Sequence, residues 1–439
     1  IRLYNMVSKQ LNVGLYSHLR RFCADRFYKL EILEHEVYGI PSAKDDIDHP
    51  TLVKFLASLD SPYEPRDYQY KAIAHGIENY RSILLSPTGS GKSFIIYNLM
   101  RYALEATQGN ILVIVPTTSL VEQMYKDFED YGYDVGQYCH RIYSGKEKVT
   151  DKRIIISTWQ SIYKLKKDWY EKFDVVIGDE AHLFKAKSLT KVLEKTPHVK
   201  YRYGFTGTLD ESQTHKLVLE GLFGPTKEVT ETKKLIDDGT LAEFGIKALI
   251  LGYPPETRQI NKNKSYQEEI DWIVRNEARN KFIRNLAWSL EGNTLILFQY
   301  VDKHGRVLHP LLEKDGKVVH FIHGGVGAED REAVRGIAES TSDNIILASY
   351  GTFSTGVNIK RLDNIIFASP SKSRIRNLQS IGRVLRKGNG KDKATLYDIV
   401  DDLQWKTKEN FAVRHFKERV KIYSDQGFDF KIYNVDIKG

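Results

Sequence analysis

The chain has 439 residues, 41% of them hydrophobic and 28% charged, with a net charge of +8 at pH 7. That length suits about two to four domains, the balance excludes a disordered or fibrous chain, and no apolar run reaches the roughly 18 residues of a membrane span. Two cysteines, Cys23 and Cys139, exclude a disulfide framework and fit a reducing, cytoplasmic compartment, while the positive balance permits a phosphate-backbone partner without requiring one.

Residues 1–62 are expected to form a small N-terminal accessory domain of α+β class, incomplete at its start because the chain opens on Ile1 rather than methionine. No signal peptide is expected. Alternating apolar and polar positions lead into Leu19-Arg20-Arg21-Phe22, with Phe27, Tyr28, Lys29 and Tyr38 beyond. Basic and aromatic side chains of this kind could grip DNA; packing and solubility account for them equally well. Gly39-Ile40-Pro41 and Asp45-Asp46-Ile47-Asp48 mark a break by turn chemistry, and helical spacing resumes at Leu52, Phe55, Leu56 and Leu59.

Arg66-Asp67-Tyr68-Gln69 opens an amphipathic helix through Ile73, Ala74 and Ile77. The Gln69 amide can accept from adenine N6 and donate to N7, though a glutamine on a helix can also simply face water. Ile83-Leu84-Leu85 reads as a buried parallel strand running into Ser86-Pro87-Thr88-Gly89-Ser90-Gly91-Lys92-Ser93 and a helix. Gly89 and Gly91 permit a tight turn with inward N–H groups, and the helix start presents its positive end to the same anion. Lys92 is then placed to reach the β and γ phosphates of a nucleotide, and the Ser93 hydroxyl to hold magnesium. Ser86 stands where the strict GxxxxGK[ST] pattern has its first glycine, so this stretch alone leaves a plain glycine turn open.

From 83 to 223 strand and helix alternate. Ile111–Val115, Ile154–Ile156 and Val175–Ile177 are short β-branched runs, separated by helical stretches over 119–130 and 160–172. That alternation predicts a parallel sheet with crossover helices and functional loops at the carboxyl ends of its strands. The third of these strands ends in Asp179-Glu180-Ala181-His182. Asp179 can hold magnesium through water, Glu180 can orient or deprotonate an attacking water, and His182 is placed to sense the γ-phosphate. Two adjacent carboxylates are unremarkable by themselves; the phosphate loop upstream makes them half of a site for ATP and Mg2+.

A turn at Asp237-Asp238-Gly239-Thr240 puts a lobe boundary near 240, dividing 63–240 from 241–439. The stretch 254–264 reads as a polar, lysine-bearing loop. A second strand and helix series follows, with strands at Leu295–Phe298, Val318–Phe321, Ile345–Ala348 and Asn364–Phe367 and a helix over 329–339. Two consecutive domains of one layout imply a cleft between them. Arg383 and Arg386, spaced i to i+3, share one face of a helical turn, and their rigid donor forks suit a transferring γ-phosphoryl group; without the upstream motifs they would read as a solvated face. Asp401-Asp402, a basic helix with Arg414, His415, Lys417 and Arg419, and a strand over 428–435 close the chain.

Together Ser86–Ser93, the DEAH tetrapeptide, Thr206-Gly207-Thr208 and Gln379-Ser380-Ile381-Gly382-Arg383-Val384-Leu385-Arg386 resemble motifs I, II, III and VI of superfamily 2 helicases. Arg66–Gln69 resembles their adenine-recognising Q-type motif, and the resemblance runs from about Arg66 to the C-terminus. It implies an α/β fold of two tandem RecA-like parallel-sheet domains, 63–240 and 241–439, behind the accessory domain. It implies ATP binding through Arg66, Gln69, Thr88, Gly89, Ser90, Gly91, Lys92, Ser93, His182, Gly356 and Gln379, with magnesium at Ser93 and Asp179. Catalysis is implied for Lys92, Asp179, Glu180, Arg383 and Arg386, and coupling of the two halves for Thr206 and Thr208.

Val115–Leu120 and Ser157-Thr158-Trp159-Gln160 resemble nucleic-acid-contacting motifs of the first half, Ala348–Asn358 resembles motif V, and His323-Gly324-Gly325 resembles another backbone-contacting turn. Nucleic-acid contacts are thereby implied at Thr117, Thr118, Thr158, Trp159, His323, Gly324, Ser349 and Thr352. Thr118 or Ser119 also suits plain helix capping, Trp159 suits core packing, and many relatives carry an acidic residue where Asn358 stands. Read as continuous phrases, Val115–Leu120, Ala348–Gly356 and Ile381–Lys387 look most like the phage UvsW-type recombination and repair helicases. That resemblance implies an ATP-dependent DNA helicase or translocase of the host-cell cytoplasm. It would unwind or branch-migrate forks, Holliday junctions, displacement loops or R-loops, with branched DNA and RNA–DNA hybrids as partners, no membrane and no required oligomer. The alternatives are an RNA helicase, a duplex translocase that does not unwind, and an ATP-switched nucleic-acid-binding sensor without translocation.

Overall fold

The computed structural model describes residues 3–33, 47–209, 212–313, 317–356, 359, 361–369, 373, 380–382, 385 and 393–437. They form two compact units, Ile1–Thr230 and Glu231–Gly439. The fold class is the expected one: two tandem RecA-like parallel-sheet domains and a small N-terminal α+β region. Among the described residues no helix is long and apolar enough to cross a membrane.

The first unit opens with a small antiparallel pair, β1 (Tyr4–Asn5) and β2 (Gln10–Leu11), a 3-10 turn at Val13–Leu15 and the helix Tyr16–Asp25. This region is seated on the helix Gln213–Phe223. Gly14 is required there, because a Cβ would lie 2.0 Å from the Glu220 carbonyl oxygen, and His18 Nε2 sits 2.8 Å from Glu220 Oε2.

Seven parallel strands follow: β3 (Arg81–Leu85), β4 (Asn110–Val115), β5 (Cys139–Ile142), β6 (Ile154–Thr158), β7 (Phe173–Asp179), β8 (Tyr201–Thr206) and β9 (Thr226–Glu228). Their order across the sheet is β5-β6-β4-β7-β8-β3-β9. The inner strands are covered on both faces, as their continuous apolar runs require. The ends of β3 and β7, of β4 and of β6 therefore share one edge of the sheet.

One helix expectation is corrected here. The stretch 160–172 holds only the short helix Trp159–Ile162 and a 3-10 turn at Lys167–Tyr170. Side chains take the carbonyls that a continuing helix would use: Tyr170 Oη donates to Ile162 O at 2.7 Å, and Lys195 Nζ to Tyr163 O and Leu165 O, each at 2.6 Å.

The second unit holds β10 (Glu243–Gly252), β11 (Thr294–Phe298), β12 (Val319–Ile322), β13 (Ile345–Ser349), β14 (Asn364–Phe367), β15 (Lys393–Asp402) and β16 (Asp429–Asp436). They are again all parallel, in the order β12-β13-β11-β14-β15-β10-β16. The expected loop at 254–264 is instead mostly the helix Pro255–Asn261. Proline at a first helical position has its φ preset and loses no bond, and Asn261 Nδ2 closes the turn on Thr257 O at 2.8 Å.

Candidate nucleotide site

Three elements of the first unit converge on the loop after β3. Gly89 and Gly91 take φ of +85° and +76°, left-handed values that suit glycine. Ser86 Oγ and Ser90 Oγ lie 2.6 Å apart, and Ser90 donates to Pro87 O through both its backbone N–H (3.1 Å) and its hydroxyl (2.7 Å). The serine in the place of the pattern's first glycine thus fastens the loop. Lys92 and Ser93 begin the helix Lys92–Ala106, whose first N–H groups have no acceptor within the helix.

Gln69 is buried behind this loop. Its Oε1 accepts the Arg66 N–H at 2.9 Å and its Nε2 donates to Ser90 O at 2.8 Å, an acceptor it shares with Tyr68 Oη at 3.1 Å. A Cβ at Gly91 would come within 2.3 Å of Gln69 Nε2, so that glycine answers both a backbone angle and a close approach. Arg66 stands exposed at the N-cap of the helix Asp67–Asn79.

Lys92 Nζ reaches Asp179 Oδ1 at 2.6 Å and Glu180 Oε1 at 3.4 Å. Burial by itself would lower the lysine, and the two carboxylates outweigh it and raise it, so it remains charged. Asp179 ends β7, and Glu180 adopts φ +51°, ψ +51°. Such a left-handed value is costly for a side-chain-bearing residue and clusters at functional sites. His182 Nδ1 lies 2.9 Å from Thr206 Oγ1 and 3.4 Å from Glu180 Oε2, and Thr206 Oγ1 donates to Thr208 O at 2.8 Å. The acidic pair is thereby wired to the end of β8, where Thr208 Oγ1 is buried with no hydrogen-bond partner among the described residues.

This donor set fits a magnesium nucleotide. A left-handed glycine turn that a Cβ at Gly91 would block, the N–H groups of Lys92 and Ser93 at the helix start, one amine, two carboxylates and the Ser93 hydroxyl lie along one sheet edge. Thr88 is half-buried within the turn. Ser93 Oγ lies 2.7 Å from Tyr131 Oη, a neighbour that no local sequence pattern signals.

Of the residues expected on the nucleic-acid side, those of the first unit gather on the same edge. Thr117 follows β4 and Thr158 ends β6, the strand beside it. The cap of the helix Thr118–Asp130 is Thr117, accepting from Leu120 N–H at 3.4 Å, rather than Thr118 or Ser119; Thr118 is exposed in the first turn. Trp159 is half-buried, its ring 5.7 Å from that of Tyr163. In the second unit, Ser349 Oγ and Thr352 Oγ1 lie 2.8 Å apart at the end of β13. His323 and the exposed Gly324 follow the neighbouring β12, with His323 Nδ1 accepting the Gly325 N–H at 3.1 Å. Gly356 closes the helix Tyr350–Gly356. Gln379, Arg383, Arg386 and Asn358 lie outside the described residues.

Comparison with known proteins agrees with this architecture. Residues 62–211 match the family model of the Type III restriction enzyme res subunit, and residues 277–388 that of the helicase conserved C-terminal domain. Two RecA-like sheets, the first bearing a phosphate loop and a DEAH box, are those of a superfamily 2 helicase. The ATP-dependent DNA helicase uvsW of Enterobacteria phage T4 is 33% identical over 452 residues, covering 98% of this chain and 89% of that protein. The chain belongs to the UvsW family and is an ATP-dependent helicase, with nucleic acid as its partner.

More distant structures share the fold alone. The Type ISP restriction-modification enzyme LlaBIII bound to DNA is 18% identical, with a TM-score of 0.64 over 86% of this chain and 32% of that one. Dbp5 of S. cerevisiae bound to RNA and ADP BeF3 is 15% identical, with a TM-score of 0.60 over 89% and 94%.

Proposed function

We propose that the chain is a DNA motor that unwinds or branch-migrates branched DNA such as forks, four-way junctions and displacement or R-loops, at the expense of ATP. One observation carries this reading. The ends of β4 and β6, with Thr117, Thr118 and Thr158, lie on the same sheet edge as the phosphate loop and the acidic pair, so a single rigid edge can hold a nucleic-acid backbone and a triphosphate together. The family's DNA helicase favours DNA over RNA.

Within this reading Lys92 neutralises the β and γ phosphates, releasing part of its hold on Asp179 and Glu180. Magnesium, when bound, would sit at Ser93 and Asp179 and supply charge neutralisation between the phosphates. Glu180 orients the attacking water, Arg383 and Arg386 supply guanidinium charge to the γ-phosphoryl group, and His182 passes the state of the site to Thr206 and Thr208. Gln69 braces the loop and keeps one N–H and one lone pair for adenine. Residues 63–240 and 241–439 act as the two motor lobes, and 1–62 as an accessory DNA-binding region. Binding to a phosphate backbone, with its counterion release, is expected to fall steeply with salt.

The test is a panel of ATPase and strand-separation measurements on forked DNA, four-way junctions, linear duplex and RNA hybrids. Forks and junctions should stimulate turnover most and be unwound or migrated. Strongest stimulation by RNA would turn the reading to an RNA helicase, and tight fork binding without ATP-dependent unwinding or migration would turn it to an ATP-switched sensor.

A further inference from the structure

The hydroxyl assigned to the metal is itself held in place. Tyr131, whose phenol lies 2.7 Å from Ser93 Oγ, closes the helix Thr118–Asp130, and that end is firmly built. Gly132 takes φ +87°, its N–H donates to Glu129 O at 2.9 Å, and the Tyr133 N–H donates to Phe128 O at 3.1 Å. These are the paired bonds of a Schellman termination. The Tyr131 ring stands edge-on to Phe94 of the phosphate-loop helix at 4.9 Å and to Tyr63 at 5.8 Å, so its position is set from two sides. The other end of the same helix is Thr117 and Thr118. At 1.5 Å per residue the helix makes a rod of about 20 Å between the two ends.

The geometry points to Tyr131 as the positioning residue through which this helix acts on Ser93: one end meets the nucleic-acid backbone, and the other orients the hydroxyl that serves magnesium. The inference rests on the roles given above to Ser93, Thr117 and Thr118. A serine hydroxyl that serves a cation turns its lone pairs toward the ion and its proton away. The Tyr131 oxygen is an acceptor for that proton. A displacement of the helix by a bound backbone shifts the phenol, and with it the direction of the Ser93 lone pairs.

Tyr131→Phe keeps the ring and its neighbours and deletes the hydroxyl alone. On the full chain, affinity for a fluorescent, non-hydrolysable ATP analogue is measured with and without magnesium and with and without a forked DNA oligonucleotide. Magnesium-free affinity should not change. The gain in affinity on adding magnesium should fall roughly ten-fold, as when the partner behind a metal ligand is removed, and the further gain from DNA should shrink with it. Placed on Ser93→Ala, Tyr131→Phe should add nothing.

An unchanged or larger magnesium gain in Tyr131→Phe, a DNA gain that stays whole, or additive losses in the double variant would each overturn the inference and leave the reading of the site standing. A wild-type chain whose nucleotide affinity ignores both magnesium and DNA would overturn that reading, and the inference with it.

Discussion

Each unit buries a cation against a carboxylate near the carboxyl ends of its strands, and the two pairs are built for opposite purposes. In the first, Lys92 lies 2.6 Å from Asp179 with 21% of its side chain exposed, at the mouth of a glycine turn. In the second, Arg279 and Asp401 meet at 2.7 Å with both side chains at 0% exposure. Arg279 also donates to Ala368 O at 2.7 Å, and Tyr253 Oη donates to the same Asp401 oxygen at 2.7 Å. That network joins the residue after β10, the residue after β14 and the end of β15 to the helix Glu277–Ser289. A compact ammonium on a flexible stem can exchange a carboxylate for a phosphate. A planar guanidinium committed to Asp401 and to Ala368 O cannot do so without undoing the scaffold. Exposure and cation type, rather than the presence of an ion pair, separate chemistry from construction.

Two substitutions should break this contrast in opposite directions. Lys92→Ala should lower ATP turnover by roughly a thousand-fold, the loss expected when a cation aimed at developing charge is removed, while DNA binding stays close to wild type. Steady-state ATPase assays beside fork-binding titrations check both halves; unchanged turnover would remove the phosphate-loop assignment. Arg279→Ala should leave nucleotide binding in place and cost about 3–5 kcal/mol of stability, because it strands a buried carboxylate. Denaturant unfolding measures that cost, and a loss below about 1 kcal/mol would mean that water enters to solvate Asp401.

The same contrast explains what was legible in the sequence. Lys92, Asp179 and Glu180 stand on short local patterns, a glycine turn after one apolar run and an acidic pair after another, so their meeting at one end of the sheet was legible. The inner strands β4, β6 and β7 were legible because a strand buried on both faces is a continuous apolar run. β15 was not, since Lys393–Asp402 is laced with acids whose partners are far off in sequence: Arg419 is 21 residues from Asp398, and Arg279 is 122 residues from Asp401. The edge strands β5, half polar, and β9, wholly polar, offer no apolar run at all. Tyr131 looked like any aromatic, because the Ser93 hydroxyl that gives it meaning lies 38 residues away. Gln69 was read for an adenine while its structural duty, bridging Arg66 N–H and Ser90 O, depends on how the loop closes. The cap at Thr117 rather than Thr118 is a one-residue shift of the kind that pattern alone does not fix.

The smallest expected effect sharpens the comparison further, since it belongs to the scaffold side. His304 is buried in the second unit with Nδ1 3.2 Å from Ser369 Oγ, and Ser369 Oγ also accepts the Gln299 N–H at 3.0 Å. Burial first, and the nearby Arg279 charge second, hold this imidazole well below its ordinary value of 6.5. The unfolded chain takes up a proton near pH 6.5 that the folded chain refuses. Stability from this group is therefore whole above about pH 6.5 and falls as the pH drops below it, by up to about 1.4 kcal/mol per pH unit until the folded-state value is reached. Unfolding measured between about pH 8 and pH 5 should show that slope in the wild-type chain, and a shallower one in His304→Gln, which has no proton to take up. Identical slopes would mean that the imidazole finds a partner for its second proton inside the fold, and that this corner of the scaffold is as exchangeable as the lysine site.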